Sequence, residues 1–269
     1  MSFPLPCSLT PTKVTAFKDC AYSFRLSVID KIPQPLSLWT VKGVIAHRVL
    51  ERFYFNLEPG ERNPESAMES IEAEWARAFD GGYAASFLSD LAPERKQSLR
   101  SEIDELILNL FAVEDPSTIR VIGTEIMLES SIGDFLARGV IDRLELDGNG
   151  ELVVVDYKTG RPPSHLREQD KLAAVLFYAL LVERVIGKRP RAVKLIYLKD
   201  RIVIETEVTP QRLKAVATRT SAVWHAVRAA CETESFRPRP SRLCNFCAYR
   251  CQCPGFEAEA QPYPQHAAG

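Results

Sequence analysis

Gly139-Val-Ile-Asp142-Arg143 and, with Asp156 fourteen residues beyond Asp142, Leu152-Val-Val-Val-Asp156-Tyr157-Lys158 are the stretches on which the fold is read. The second is a β-branched run with polar groups only at its end, the pattern of a short buried strand. Alternate residues of a strand share a face. Asp156 and Lys158 therefore project together, beside whatever Asp142 reaches. Two carboxylates and an ammonium at one place can hold a divalent cation and a phosphate, the combination that metal-assisted phosphodiester cleavage requires. Without further context, the same residues read equally as strand-end aspartates with a salt-bridging lysine on a solvated edge.

Outward from this pair, Asp147-Gly148-Asn149-Gly150 is a hairpin turn between strands at about 135–146 and 151–158. A further strand precedes them at about 119–130. A helix follows over about 166–187, then a hairpin of strands 192–198 and 201–208, then a helix over about 210–231. Upstream, Thr10-Pro11 starts a helix to about Arg25, with Thr as cap and Pro at the first helical position. Pro33 and Pro35 break the chain. Val41, Ile45, Val49 and Phe53 stand at helical spacing in a helix over about 38–55. Helices from Pro64 to about Phe79 and from Pro93 to about Phe111 follow. The expected organisation is an N-terminal helical region over 1–115, an α/β core of order β-β-β-α-β-β over 116–232, a cysteine segment over 233–256 and a flexible tail over 257–269.

The chain has 269 residues, 46% hydrophobic and 26% charged, with formal net charge −1. That is ordinary globular composition. A surface for nucleic acid must then be local rather than a property of the whole chain. The longest apolar run, Leu172 to Val182, is too short to span a bilayer. No basic segment followed by an apolar stretch opens the chain, so a cytoplasmic location with reduced thiols and no membrane contact is expected.

These residues resemble the PD-(D/E)XK nucleases, in particular the RecB-like exonuclease branch that includes CRISPR-associated and helicase-linked nucleases with an iron–sulfur cluster. Ile141-Asp142 stands for the Pro-Asp of the name, and Asp156-Tyr157-Lys158 for the D-X-K, followed by Thr159-Gly160. The resemblance runs from about Leu9 to about Gly255. It implies a restriction-endonuclease-like mixed sheet flanked by helices. It also implies Mg²⁺ or Mn²⁺ held by His47, Asp142 and Asp156, with Lys158, Asp156, Asp142, Glu125 and Tyr178 in the catalytic site. His47 lies in Gly43-Val-Ile-Ala-His47-Arg-Val-Leu-Glu51; read alone it is more readily a core histidine packed on a helix, and Glu51 either orients it or is solvated. Imidazole suits Mn²⁺ better than Mg²⁺. Glu125 precedes Asp142 by one strand, with Glu129 as a same-face neighbour. Where the family carries glutamine four residues before Tyr178, this chain has Ala174, and Lys171 could reach a phosphate in its place.

Seven cysteines occur, four of them in a recognisable arrangement: Cys20, then Cys244-x2-Cys247-x5-Cys253. The resemblance implies a 4Fe–4S cluster on these four, tying the ends of the chain together. Thiolates equally suit tetrahedral Zn²⁺, and Cys251 is a further candidate ligand. Basic residues that could track a DNA backbone include Arg143, Arg161, Arg167, Lys171, Arg184, Lys188, Arg189, Arg191, Arg237, Arg239 and Arg242. The expected activity is exonucleolytic cleavage of single-stranded or unwound DNA, with a helicase or repair protein as partner. The rivals are a non-catalytic nucleic-acid-binding module and a structural subunit of a helicase–nuclease or CRISPR-type complex.

Overall fold

The computed structural model follows the order α1 (Pro11–Asp19), α2 (Ala21–Phe24), α3 (Leu38–Asn56), α4 (Pro64–Phe79), α5 (Ala85–Ser89), α6 (Pro93–Leu108), β1 (Arg120–Ile132), β2 (Phe135–Leu146), β3 (Leu152–Lys158), α7 (His165–Ile186), β4 (Ala192–Tyr197), β5 (Ile202–Glu207) and α8 (Pro210–Glu232). The structure describes residues 3–82, 84–162 and 165–259, with the backbone alone for 165–171 and 257–259. Arg167, Lys171 and the tail expected at 257–269 therefore lie wholly or largely outside the described side chains.

The strands form one mixed sheet in the order β1-β2-β3-β4-β5. β2 and β3 pair antiparallel, from Leu146 opposite Leu152 to Arg143 opposite Val155. β3 and β4 are parallel, as far as Lys158 opposite Tyr197, and α7 is the crossover that parallel neighbours need. β4 and β5 close the sheet antiparallel. β3 is buried from Leu152 through Tyr157, as expected of a β-branched strand held between two others. Val153, Val155 and Tyr157 join Val41, Ile45, Phe53, Ile71 and Ile103 of the packed helices α3, α4 and α6 in one core.

Local signals behave as the sequence dictates. Thr10 Oγ1 accepts from the Lys13 N–H (3.2 Å) with Pro11 at the first helical position. Asn63 Oδ1 accepts from the Ser66 N–H (3.0 Å) at the start of α4. Asp147 closes the β2–β3 turn by accepting from the Asn149 and Glu151 N–H groups, both at 2.9 Å. The expected single helix from Thr10 to Arg25 is interrupted, however: Cys20 takes an extended backbone (φ −162°, ψ 111°) between α1 and α2.

The residues group into two units. One comprises 1–35, 131–137 and 217–269; the other comprises 36–130 and 138–216. Phe24, Val227, Ala230, Cys231 and Phe236 form the apolar centre of the first. Among the described residues no helix is long and apolar enough to cross a membrane.

Candidate active site

The β2–β3 ladder stops at Arg143–Val155, one residue short of Asp142 and Asp156. There the Tyr157 N–H donates to the Asp142 carboxylate (Oδ2, 2.7 Å). A side chain thus satisfies the backbone donor that strand pairing would have used. The other Asp142 oxygen lies 3.4 Å from His47 Nδ1 on α3. Ligand atoms of His47, Glu125 and Asp142 all fall within 4.8 Å of one another. Bonds of about 2.1 Å put ligands of an octahedral ion up to about 4.2 Å apart, so a small inward adjustment fits this trio to Mg²⁺ or Mn²⁺. Asp156 is not part of that trio. Its Oδ2 is held by Lys158 Nζ at 2.5 Å, confirming that the two share a face.

Glu125 reaches this position through a break in β1. Its φ is +48°, a left-handed conformation that costs a residue with a Cβ of order 1–3 kcal/mol. The exposed residues are 120 and 122 before it and 127, 129 and 131 after it, so the strand changes phase there, as a β-bulge does. Gly123 permits the close turn: a Cβ there would stand 2.9 Å from Ile126 Cδ1. The expectation that Glu129 is a same-face partner of Glu125 does not hold across the bulge. Glu129 is exposed and ion-paired with Arg138 (2.6 Å).

Tyr178 on α7 lies against β2, where a Cβ on Gly139 would come within 2.7 Å of its ring. Burial pushes its hydroxyl well above the usual tyrosine range, and the charges of Asp156, Asp142 and Glu125 add to this, so it remains a donor. Ala174, one turn earlier, is half-buried. Gly139→Ala should displace the Tyr178 ring, whose Cε1 and Cδ1 would stand 2.7 and 2.8 Å from the new Cβ. We expect catalysis to fall at least tenfold while the far-ultraviolet spectrum is unchanged. Wild-type activity in that variant would remove Tyr178 from the site.

The charges interlock. Glu125 is pushed up to about 7, first by burial and then by Asp142. Asp156 is pushed up by burial, which outweighs the pull of Lys158. Burial acts to lower His47, but the hydrogen bond and charge of Asp142 override it and the net shift is upward. In the metal-free protein all three groups hold protons that the unfolded chain releases at lower pH. The stability they contribute is present below about pH 4 for the carboxylates and is lost as pH rises toward about 7, with His47 extending the loss above about 6.5. A cation displaces those protons and reverses the trend. In chelator, the melting temperature should fall from about pH 5 to about pH 7.5, and Mn²⁺ should raise it most at the upper end. A metal-induced rise that is larger at the acidic end would contradict this.

Behind the site sits a buried ionic cluster. Arg143, expected among the cations that could track DNA, is instead fully buried. Its alternation on β2 opposes that of Asp142, so it faces the core. Its guanidinium donates to Glu114 at 2.6 and 2.8 Å and to the Tyr157 hydroxyl at 2.6 Å. It lies 2.7 Å from Glu145, and Lys194 binds the other Glu145 oxygen at 3.1 Å. Burial would raise Glu114, but Arg143 holds its carboxyl below the usual range. No sequence signal joins Glu114 to Arg143. Three more of the expected cations are taken up by neighbours: Arg191 by Asp147 and Glu205, Lys188 by Glu151, and Arg189 by Glu183.

In the other unit, Cys20, Cys244, Cys247 and Cys253 line one cavity of about 240 Å³. Cys253 is raised first by burial and then by the three other thiols. The Arg239 N–H donates to Cys20 Sγ (3.4 Å) and the Ser241 N–H to Cys244 Sγ (3.3 Å). Cys251 is exposed and is not in the lining of this cavity.

The family model of the PD-(D/E)XK nuclease superfamily matches residues 8–254. A crystal structure described as a "putative exonuclease" from Eubacterium rectale is 10% identical, covering 90% of this chain and 88% of that one at a TM-score of 0.58. At that identity the likeness speaks for the fold alone. The crystal structure of SSO0001, 17% identical over 67% of this chain and 80% of that one, has a TM-score of 0.38 and carries no argument. No curated protein matches the chain.

Proposed function

The chain belongs to the PD-(D/E)XK nuclease superfamily, and from that premise we propose that it is a metal-dependent deoxyribonuclease of the RecB-like kind, degrading single-stranded or unwound DNA from its ends. The observation that carries this reading is the meeting of His47, Glu125 and Asp142 within 4.8 Å beside the Asp156–Lys158 pair. A bound Mg²⁺ or Mn²⁺ supplies charge neutralisation and an acidified water. The protein's own groups do the rest. Asp142, Glu125 and His47 hold the ion, and the histidine favours Mn²⁺. Burial acts to lower Lys158, but Asp156 outweighs it, so the ammonium stays charged and offsets the charge that develops on the phosphate. Asp156 keeps that ammonium in place and can take up a proton. DNA with free ends is the substrate, and a helicase that opens duplex is the kind of partner that supplies it. Labelled single-stranded, duplex and circular DNA incubated with Mg²⁺ or Mn²⁺ tests the reading. Stepwise shortening of linear single strands is expected; intact DNA under every condition defeats it.

The four-thiol cavity supports a 4Fe–4S cluster on Cys20, Cys244, Cys247 and Cys253. A zinc tetrahedron with 2.3 Å bonds sets its thiolates about 3.8 Å apart. Thiolates suit either group, and the reading of iron–sulfur rests on the Cys20, Cys244-x2-Cys247-x5-Cys253 arrangement. Protein prepared without oxygen should contain iron and acid-labile sulfide, both lost in Cys20→Ala. Stoichiometric zinc without iron would assign the site to Zn²⁺ instead.

A further inference from the structure

On α3, just beyond His47, a groove of about 320 Å³ is lined by Arg48, Glu51, Arg52 and Phe55 and, from α4, by Glu74 and Arg77. Glu51 and Phe55 lie four and eight residues from His47, so they continue its stripe along the helix. The groove therefore begins where the candidate cation site ends. Arg48 and Glu51 are also among the charges that act on Glu125.

The groove has fixed walls. Glu74 is buried, and its Oε1 accepts from Arg52 Nε (2.7 Å) and Arg77 Nη1 (3.1 Å). One carboxylate thus anchors two guanidiniums. Arg48, Arg52 and Arg77 against Glu51 and Glu74 leave an excess of one positive charge. Between them Phe55 is 74% exposed, although its chain neighbours Phe53 and Tyr54 are core residues. An exposed ring among anchored guanidiniums offers a stacking face for a base and donors for the flanking phosphates. Bases in a duplex are already stacked on each other and present no such face; an unpaired strand does.

We propose that this α3–α4 groove holds the unpaired DNA strand next to the point of cleavage, with one base stacked on Phe55 and adjoining phosphates on Arg48 and Arg77. The proposal rests on the nuclease reading above. Fluorescein-labelled oligothymidylate, titrated in chelator and followed by anisotropy, tests it. Phe55→Ala should weaken binding roughly 5- to 150-fold, the range for loss of one base–aromatic stack, and Phe55→Tyr should restore it. An abasic nucleotide walked along the strand should find one position at which the natural protein and Phe55→Ala bind equally. Arg48→Ala and Arg77→Ala should each reduce the slope of log affinity against log salt by about 0.7. Native affinity in folded Phe55→Ala, or an equal loss for duplex and single strand, overturns the proposal. Hydrolysis of thymidine 5′-(p-nitrophenyl phosphate) by the natural protein with Mn²⁺ separates the two readings. If the ester is cleaved while oligonucleotide affinity ignores Phe55, the groove assignment alone fails. If the natural protein neither cleaves the ester nor binds DNA, the nuclease reading has failed and takes the groove with it.

Discussion

Asp142→Asn is expected to fold and to lose cleavage by about 10³-fold or more. The substitution keeps an oxygen that can accept from the Tyr157 N–H, so the mouth between β2 and β3 retains its shape. What disappears is the negative charge that His47 and Glu125 share with the ion. A catalytic cation is worth several kcal/mol of transition-state stabilisation, and each 1.36 kcal/mol is tenfold in rate, so losing it removes at least about three decades. Single-turnover cleavage measures this, and calorimetric titration with Mn²⁺ measures the accompanying loss of affinity. A second readout has the opposite sign. Asp142 raises Glu125, Asp156 and His47, so the loss of stability of the metal-free protein from about pH 5 to about pH 7.5 should be smaller in Asp142→Asn than in the natural protein. Cleavage within tenfold of the natural rate would remove Asp142 from the chemistry.

Arg143→Leu is expected to lower unfolding stability by about 3–5 kcal/mol, the usual result of deleting one partner of a buried ionic group. The guanidinium is surrounded by Glu114, Glu145, Tyr157 and the Tyr54 ring, the last with its centroid 4.4 Å from the guanidinium carbon. Leucine leaves two carboxylates in a low-dielectric space without their shared cation, Glu145 keeping Lys194 and Glu114 only the Tyr54 hydroxyl as a direct partner. Urea unfolding reads the change, and Arg143→Leu combined with Glu114→Gln should recover part of it. A loss under about 1 kcal/mol would mean that water reaches the cluster. Because Tyr157 sits between Asp156 and Lys158 in the chain, the variant should also weaken cleavage under conditions where it is still folded.

Features governed by neighbours in sequence were legible in the sequence. The Asp147-Gly148-Asn149-Gly150 turn, the Thr10-Pro11 start and the alternation that places Asp156 beside Lys158 all depend on residues within one turn of each other. The phase change at Glu125 had one local marker, the isolated Gly123 inside a strand pattern, but that marker does not say which neighbour takes the positive φ, and a glutamate is not the usual choice. Nor was the burial of Arg143, which depends on Glu114, 29 residues away in sequence. The interruption at Cys20 was hidden for a different reason: the residues on either side have ordinary helical propensity. The Arg48–Arg77 pocket escaped because its arginines come from two helices and no composition bias marks them.

The phase change in β1 also bears on how this strand can tolerate insertion and deletion. A strand with continuous alternation cannot lose one residue without turning half its side chains inside out. Here the inversion is already present. Removing Thr124 would bring residues on both sides of the gap into a single frame and dispense with the left-handed backbone at Glu125. Such a shortened chain should fold at least as readily as its parent while withdrawing one oxygen from the cation. Removal of Thr124 thus separates two uses of β1: regular strand pairing, which is gained, and delivery of the Glu125 carboxylate to His47 and Asp142, which is lost.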